Sequence, residues 1–412
     1  MADKRIRQIK NFMALIVIVC IAIFSEEMFF PTTSYQKVFW ILMALVGIFF
    51  LCRQCVKGTL ADSLVLLSVP VPLMIITTAT IAGGFMYGDM LGVSTQAFTT
   101  TMFIVVDILM VIALLSLFRH RSVDLLLAAI VICYIATLMN AFVTVDFMHI
   151  LRNIVSPDLY VYRFFERHDI GIAVVPLLLY YLYPWIYGGN KRNLDNLLKI
   201  IILIGIMLLC GKRSAYLGLA SGVGIMVFFK LCKKNLSAAC KWVMAAGVIL
   251  PFLYVCAIRL GILGYVANLL GINTMGRIEV YEWFSDHYTL SPLYLGQGFQ
   301  YIHRYMMAGL GSRLVNDYHY LHNTILQLYI EGGFWGFCLW FIHNAVSIPM
   351  MLRKWFDENT AVFYLVVFVA TIVIFTVDNA LTYPVYQVCL YTVVGATMAE
   401  VPCRLQLLRK KK

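Results

Sequence analysis

The run Gly211-Lys212-Arg213-Ser214-Ala215-Tyr216-Leu217-Gly218 sets two cations between apolar stretches too close together to be separated by a real loop. This spacing predicts a tight hairpin with Arg213 at the start of a helix. The unpaired N–H groups and positive dipole end found there already favour an anion, so an arginine is repelled unless an anion joins it. The alternative is that Lys212 and Arg213 snorkel to lipid headgroups. Downstream, His319 and His322 stand three apart. With no H-E-x-x-H and no paired carboxylate beside them they read poorly as a metal pair, and no metal site is expected. One of them reads better as a general base or a substrate hydrogen-bond donor.

The elements that must position these groups follow from composition. Of the 412 residues, 62% are apolar and 13% charged, half the charged share of a soluble domain. Apolar runs of about 20 residues recur, the length a helix needs to cross the hydrocarbon core, which excludes a β-barrel, a disordered chain and a disulfide scaffold. The expected fold is an all-α integral membrane protein of about twelve crossings: 10–28, 37–52, 62–83, 98–118, 125–143, 170–187, 197–211, 214–230, 242–258, 322–351, 360–377 and 384–402. The N-terminal run Phe12 to Phe24 reads as a retained first crossing, because no small-residue cleavage pattern follows it. Along the chain this divides into nine crossings over 1–258, a large outer loop over 259–321, and three crossings with a basic tail over 322–412.

With both termini cytoplasmic, 22 of the 32 basic residues fall inside, as positive-inside ordering requires. The net charge of +11 therefore points to anionic lipid and not to nucleic acid. The outer basic residues are Lys37, Arg152, Arg163, Arg167, Lys212, Arg213, Arg259, Arg277, Arg304 and Arg313. Eight of these ten are arginine, and planar bidentate donors suit phosphate or diphosphate; pairing with outer acids such as Glu166, Asp169, Glu279, Glu282 and Asp286 is the other reading. The two long outer segments, 144–169 and 259–321, are expected to hold short helices. Aromatics crowd the second (Tyr281, Trp283, Phe284, Tyr288, Tyr294, Phe299, Tyr301, Tyr305, Tyr318, Tyr320), either as an interfacial belt or as stacking platforms for sugars. The lone Cys52-x-x-Cys55 lacks a second ligand pair and reads as structural. Only Asp107 reads as an intramembrane charge.

The hairpin segment 211–218 resembles the Arg-Ser/Thr-Ala-aromatic/aliphatic-Leu-Gly segment of the O-antigen ligase and polymerase superfamily. The similarity continues in order: Gly276-Arg277, then Gly296-Gln297-Gly298-Phe299, then His322-Asn323 with Glu331-Gly332-Gly333-Phe334-Trp335-Gly336. Ile325-Leu326 must supply the leucine of the family's His-Asn-x-x-Leu. By motif the resemblance covers about residues 140–345. It implies a glycosyltransferase of the bacterial inner membrane that takes a saccharide from undecaprenyl diphosphate at the outer leaflet, with its active site facing the periplasm or exterior. The short inner loops hold no D-x-D and no Gly-rich phosphate cradle, consistent with no nucleotide-sugar donor and no cofactor.

For that chemistry Arg213 is the first candidate for the diphosphate, Arg163 and Arg167 are the second, and Arg277 follows. His322 is the candidate base, with Asn323 placed to orient it; Glu166, Asp169, Asp317 and Asp378 are alternatives or supporting groups. Inversion at the anomeric centre comes from the resemblance alone. The expected partners are the undecaprenyl-diphosphate-linked oligosaccharide and membrane lipid, with room for a chain-length regulator protein. Polymerisation of repeat units is favoured over transfer to lipid A core, and a flippase or transporter is the remote alternative.

Overall fold

The computed structural model describes residues 2–24, 33–57, 60–144, 167–187, 194–271, 274, 276–313, 315 and 320–401. Among these residues all regular structure is helical, and the chain is an all-α membrane protein. The α-helices are α1 (Ala2–Phe24), α2 (Thr33–Lys57), α3 (Ala61–Ser68), α4 (Val71–Tyr87), α5 (Val93–Phe118), α6 (Arg121–Thr144), α7 (His168–Ile186), α8 (Leu194–Cys210) and α9 (Arg213–Leu231). They continue as α10 (Leu236–Arg259), α11 (Ile262–Leu269), α12 (Arg277–Trp283), α13 (Tyr301–Met307), α14 (Thr324–Ile342), α15 (Ile348–Trp355), α16 (Glu358–Phe375) and α17 (Pro384–Ala399). Among the described residues nine helical stretches are long and apolar enough to cross a membrane. Each of the twelve crossings read from hydropathy falls on helix; those outside the nine are α1, α8 and α17.

The chain forms two compact units. The first comprises residues 1–62, 106–227 and 384–412. Within it α7 packs against α8 and α17, and α6 against α1. Gly171, one turn into α7, lies so close to the α8–α9 hairpin that a methyl on it would stand 3.0 Å from Lys212 Cβ and 3.2 Å from Cys210 Cβ. Small residues at such crossings let helices approach closely where lipid supplies no hydrophobic drive. The hairpin that carries Arg213 is thereby fixed against the start of α7.

The second unit comprises residues 63–105 and 228–383. Its α10 divides into two stripes: Val243, Gly247, Pro251, Val255 and Ile258 are buried, while Trp242, Ile249 and Leu253 face outward as a lipid-facing row would. A methyl on Gly247 would lie 3.1 Å from both Ala345 and Phe368, so α10 runs tight against the inner partners α14–α16. The stretch Thr324–Trp355 has 32 residues and is made of α14, a π turn over His343–Ser347 and α15; α14 alone, at 19 residues, is about as long as the ~30 Å core is thick.

Candidate functional site

Residues of the second unit gather around the first turn of α14. Asn323 is its N-cap: Oδ1 accepts from the Leu326 N–H at 3.0 Å, satisfying one of the orphan donors of the helix start. Its Nδ2 donates to Tyr254 Oη at 3.0 Å, and Tyr254 Oη in turn donates to the Thr376 carbonyl at 2.9 Å. Both of these bonds of the Asn323 amide go to groups other than the His322 imidazole. His322 is the residue before the cap, half-buried, with a left-handed backbone at φ 52°. A non-glycine residue pays for that conformation and is held in it by its surroundings. Here the Tyr281 hydroxyl donates to the His322 carbonyl at 3.4 Å, and on the other side Thr324 donates through both N (3.2 Å) and Oγ1 (2.8 Å) to the Asp378 carbonyl.

The turn after α16 is the second half of this knot. Its carbonyls accept in succession from Tyr254 (Thr376), from Arg277 Nη1 at 3.2 Å (Val377) and from Thr324 (Asp378). Arg277 Nε is buried without a hydrogen-bond partner, a costly state for a cationic donor and one that an anion would relieve. Asp378 is fully buried, and its Oδ1 accepts from the Asn379 N–H at 2.9 Å and from Tyr383 Oη at 3.1 Å. The structure thus brings His322, Asn323, Arg277 and Asp378 into one network. The sequence did not single out Tyr254 or Thr324, and gave Tyr281 only as one of the aromatics of 259–321; a tyrosine near the end of a crossing reads first as interfacial belt.

Farther along α14 the two glycine motifs meet. Gln297 N–H donates to the Ile330 carbonyl at 2.9 Å, Gly298 N–H to the Glu331 carbonyl at 3.0 Å, and Phe334 N–H to the Tyr294 carbonyl at 2.9 Å. The helix opens for this at Gly333 (φ 65°, ψ −175°), and a methyl on Gly296 (φ 91°) would lie 2.5 Å from Glu331 O and Gly333 N. Only glycine permits both the conformation and the approach. The Glu331 carboxylate, 1% exposed, accepts from Ile302 N at 3.0 Å and from Gln327 Nε2 at 3.2 and 3.1 Å. This pairing is a clasp that fastens segment 294–302 to α14.

Aromatic residues form the core of that loop. Tyr281, Phe284, Tyr288 and Phe299 are buried, whereas Trp283 and Tyr320 are exposed; Tyr318 lies outside the described residues. His287 packs its ring 5.1 Å from Phe284 and 5.0 Å from Tyr305, and burial pushes its pKa down. Burial likewise pushes the Tyr288 hydroxyl up to about 12, with the Arg259 guanidinium 5.9 Å over its ring. His303 and Tyr320 stack at 4.7 Å.

In the first unit Arg213 is the first residue of α9, as the hairpin spacing predicted, with its side chain exposed. Lys212 beside it is buried, 8% exposed. Arg167 precedes α7 and lies 3.8 Å from Asp169. Arg163, Glu166, Asp317 and His319 lie outside the described residues.

Residues 198–341 match the family model described as O-antigen ligase. Over this segment the chain is similar to the O-antigen ligase and polymerase superfamily. No curated protein matches the chain. The matched segment contains Arg213, Arg277, the glycine clasp, Asn323 and His322, while Arg163, Arg167 and Asp378 fall outside it. Within this segment the geometry separates two kinds of motif residue: Gly296, Gly333 and Glu331 hold backbone to backbone, whereas Arg277 keeps a buried N–H without a partner.

Proposed function

We propose that the protein polymerises undecaprenyl-diphosphate-linked oligosaccharide repeat units into O-antigen or capsular polysaccharide at the outer leaflet of the bacterial inner membrane. The match of residues 198–341 to the O-antigen ligase family model supports transfer from a lipid-linked saccharide. The single observation that supports the assignment of roles is the place of His322, half-buried at the mouth of α14 and held in a left-handed backbone one residue before the Asn323 cap. In this reading the imidazole takes the proton of the acceptor hydroxyl as that oxygen attacks the anomeric carbon. The bond from that carbon to the diphosphate oxygen breaks, with inversion, and the diphosphate leaves.

Charge growing on the leaving oxygen needs fixed donors, each worth about 2–4 kcal/mol of transition-state stabilisation. Arg213 is the first of these, then Arg163 and Arg167, and then Arg277, whose free Nε is a donor waiting for an oxygen acceptor. Asp378 and Asn323 support the His322 turn, Glu166 and Asp317 are reserve acids, and the transfer runs without metal. Both termini face the cytoplasm and 259–321 faces outward. Ligation to lipid A core uses the same donor and is the second reading. Purified protein incubated with lipid-linked repeat units alone should yield a ladder; products formed only when lipid A core is added would make it a ligase.

A further inference from the structure

The turn that follows α16 contains a group that the transfer mechanism does not use. Asn379 is 2% exposed, and both its Oδ1 and its Nδ2 are buried with no hydrogen-bond partner. Its backbone is fully engaged, the N–H with Asp378 Oδ1 and the carbonyl with Thr382. The side chain alone is unsatisfied. Buried polar atoms are almost always paired, because leaving one bare forfeits its water without return. A side-chain amide with both ends bare is therefore a local violation of the kind found at functional sites.

The position of this amide gives it a function. The preceding carbonyls of the same turn hold Tyr254, Arg277 and Thr324, and Thr324 directly follows the cap of the helix that begins behind His322. Its chemistry selects the ligand. A diphosphate oxygen only accepts, and would suit the bare Nε of Arg277 while leaving an amide oxygen unsatisfied. A hydroxyl both donates and accepts, so one hydroxyl or a neighbouring pair satisfies both ends of an amide.

We propose that Asn379 is a saccharide-contacting residue, hydrogen-bonding a sugar hydroxyl of the lipid-linked substrate through Nδ2 and Oδ1, and so contributing to repeat-unit specificity. This inference rests on the reading that the protein takes a lipid-linked saccharide. The side chains over Asn379 must move aside for contact, and the turn that carries it lies between two helices, outside the regular hydrogen bonding of either.

The test compares two probes on full-length protein in nanodiscs: undecaprenyl diphosphate bearing the repeat unit extracted from the source cells, and undecaprenyl diphosphate alone. Wild type should bind the sugar-bearing probe more tightly. Asn379→Leu should lose that increment by roughly tenfold, the size of about one hydrogen bond, while binding bare undecaprenyl diphosphate as wild type does. It should also melt no lower than wild type, because an apolar side chain of similar size relieves an unpaired buried amide. Asn379→Ser, which keeps a smaller donor and acceptor, should fall between the two. A full increment in Asn379→Leu overturns the assignment and leaves the lipid-linked reading standing. Loss of bare undecaprenyl diphosphate binding in a variant that keeps its melting temperature makes Asn379 a diphosphate ligand, which also overturns it. Lower melting with the sugar increment intact makes it a structural, hydrated amide. Absence of any increment in wild type overturns the lipid-linked reading and this inference with it.

Discussion

Truncating the α14 cap separates a structural role for Asn323 from a chemical one. Asn323→Ala removes the Oδ1 bond to Leu326 N–H and the Nδ2 bond to Tyr254. A lost cap costs about 1 kcal/mol and a lost side-chain hydrogen bond about 1 kcal/mol more, so the variant should be destabilised by about 2 kcal/mol. Asn323→Ser keeps an oxygen for the cap and loses only Tyr254, and should cost about 1 kcal/mol. Tyr254→Phe removes the bonds to Asn323 and to the Thr376 carbonyl, about 2 kcal/mol. Once Tyr254 is phenylalanine, Asn323→Ser has nothing further to break, and the double mutant should cost about 1 kcal/mol less than the sum of the singles. Denaturant unfolding in micelles, followed by tryptophan fluorescence, measures all four. Turnover of Asn323→Ser should stay within about fivefold of wild type, since only stability energy of the order of one hydrogen bond is lost. Additive single costs, or a Ser variant as unstable as the Ala variant, would refute the hydrogen-bond assignment. A Ser variant stable as expected but as inactive as a His322→Ala protein would assign to Asn323 the role of orienting His322.

Three further outcomes are expected. Arg213→Lys keeps charge at the start of α9 but loses the bidentate fork, and should lose about 2–4 kcal/mol of transition-state stabilisation in an in vitro transfer assay; near-normal yield at matched protein level would leave only headgroup snorkelling. Gly296→Ala puts a methyl against Glu331 O and Gly333 N at 2.5 Å and should open the clasp, read as protease cleavage within 294–302 that wild type resists and Leu293→Ala does not acquire. Because burial lowers the His287 pKa, the native state binds fewer protons there than the unfolded chain, so its contribution to stability is full above about pH 6.5 and is lost as pH falls below that value; melting temperature should fall more steeply between pH 6.5 and 5 in wild type than in His287→Phe.

The membrane fold was legible because its signal is local. Each crossing is an apolar run of helical length, and hydropathy finds it without reference to any other part of the chain. Arg213 at the head of α9 was legible for the same reason, since the hairpin is made by adjacent residues. The cap was written in the sequence too, as an asparagine before an apolar run. What the sequence withheld is tertiary. Tyr254, Arg277, His322 and Asp378 are separated by as many as 124 positions, and no spacing rule links a tyrosine in one crossing to a carbonyl at the end of another. The glycine motifs were visible as motifs, yet that Gly296 and Gly333 press backbone on backbone is a fact of pairing, and the unsatisfied amide of Asn379 is defined only by what surrounds it.

The central claim, that the His322 imidazole is the base of the transfer, is tested most directly by single-turnover kinetics of His322→Asn beside His322→Ala. Asparagine accepts the left-handed backbone that His322 holds at φ 52° better than most residues, so the Asn variant keeps the turn and deletes only the imidazole. Both variants should lose about 10²–10⁴-fold in the chemical step, the range for loss of a general base, with binding of undecaprenyl-diphosphate-linked saccharide unchanged. A His322→Asn protein that turns over like wild type would contradict the account and pass the role of base to Asp378 or Glu166.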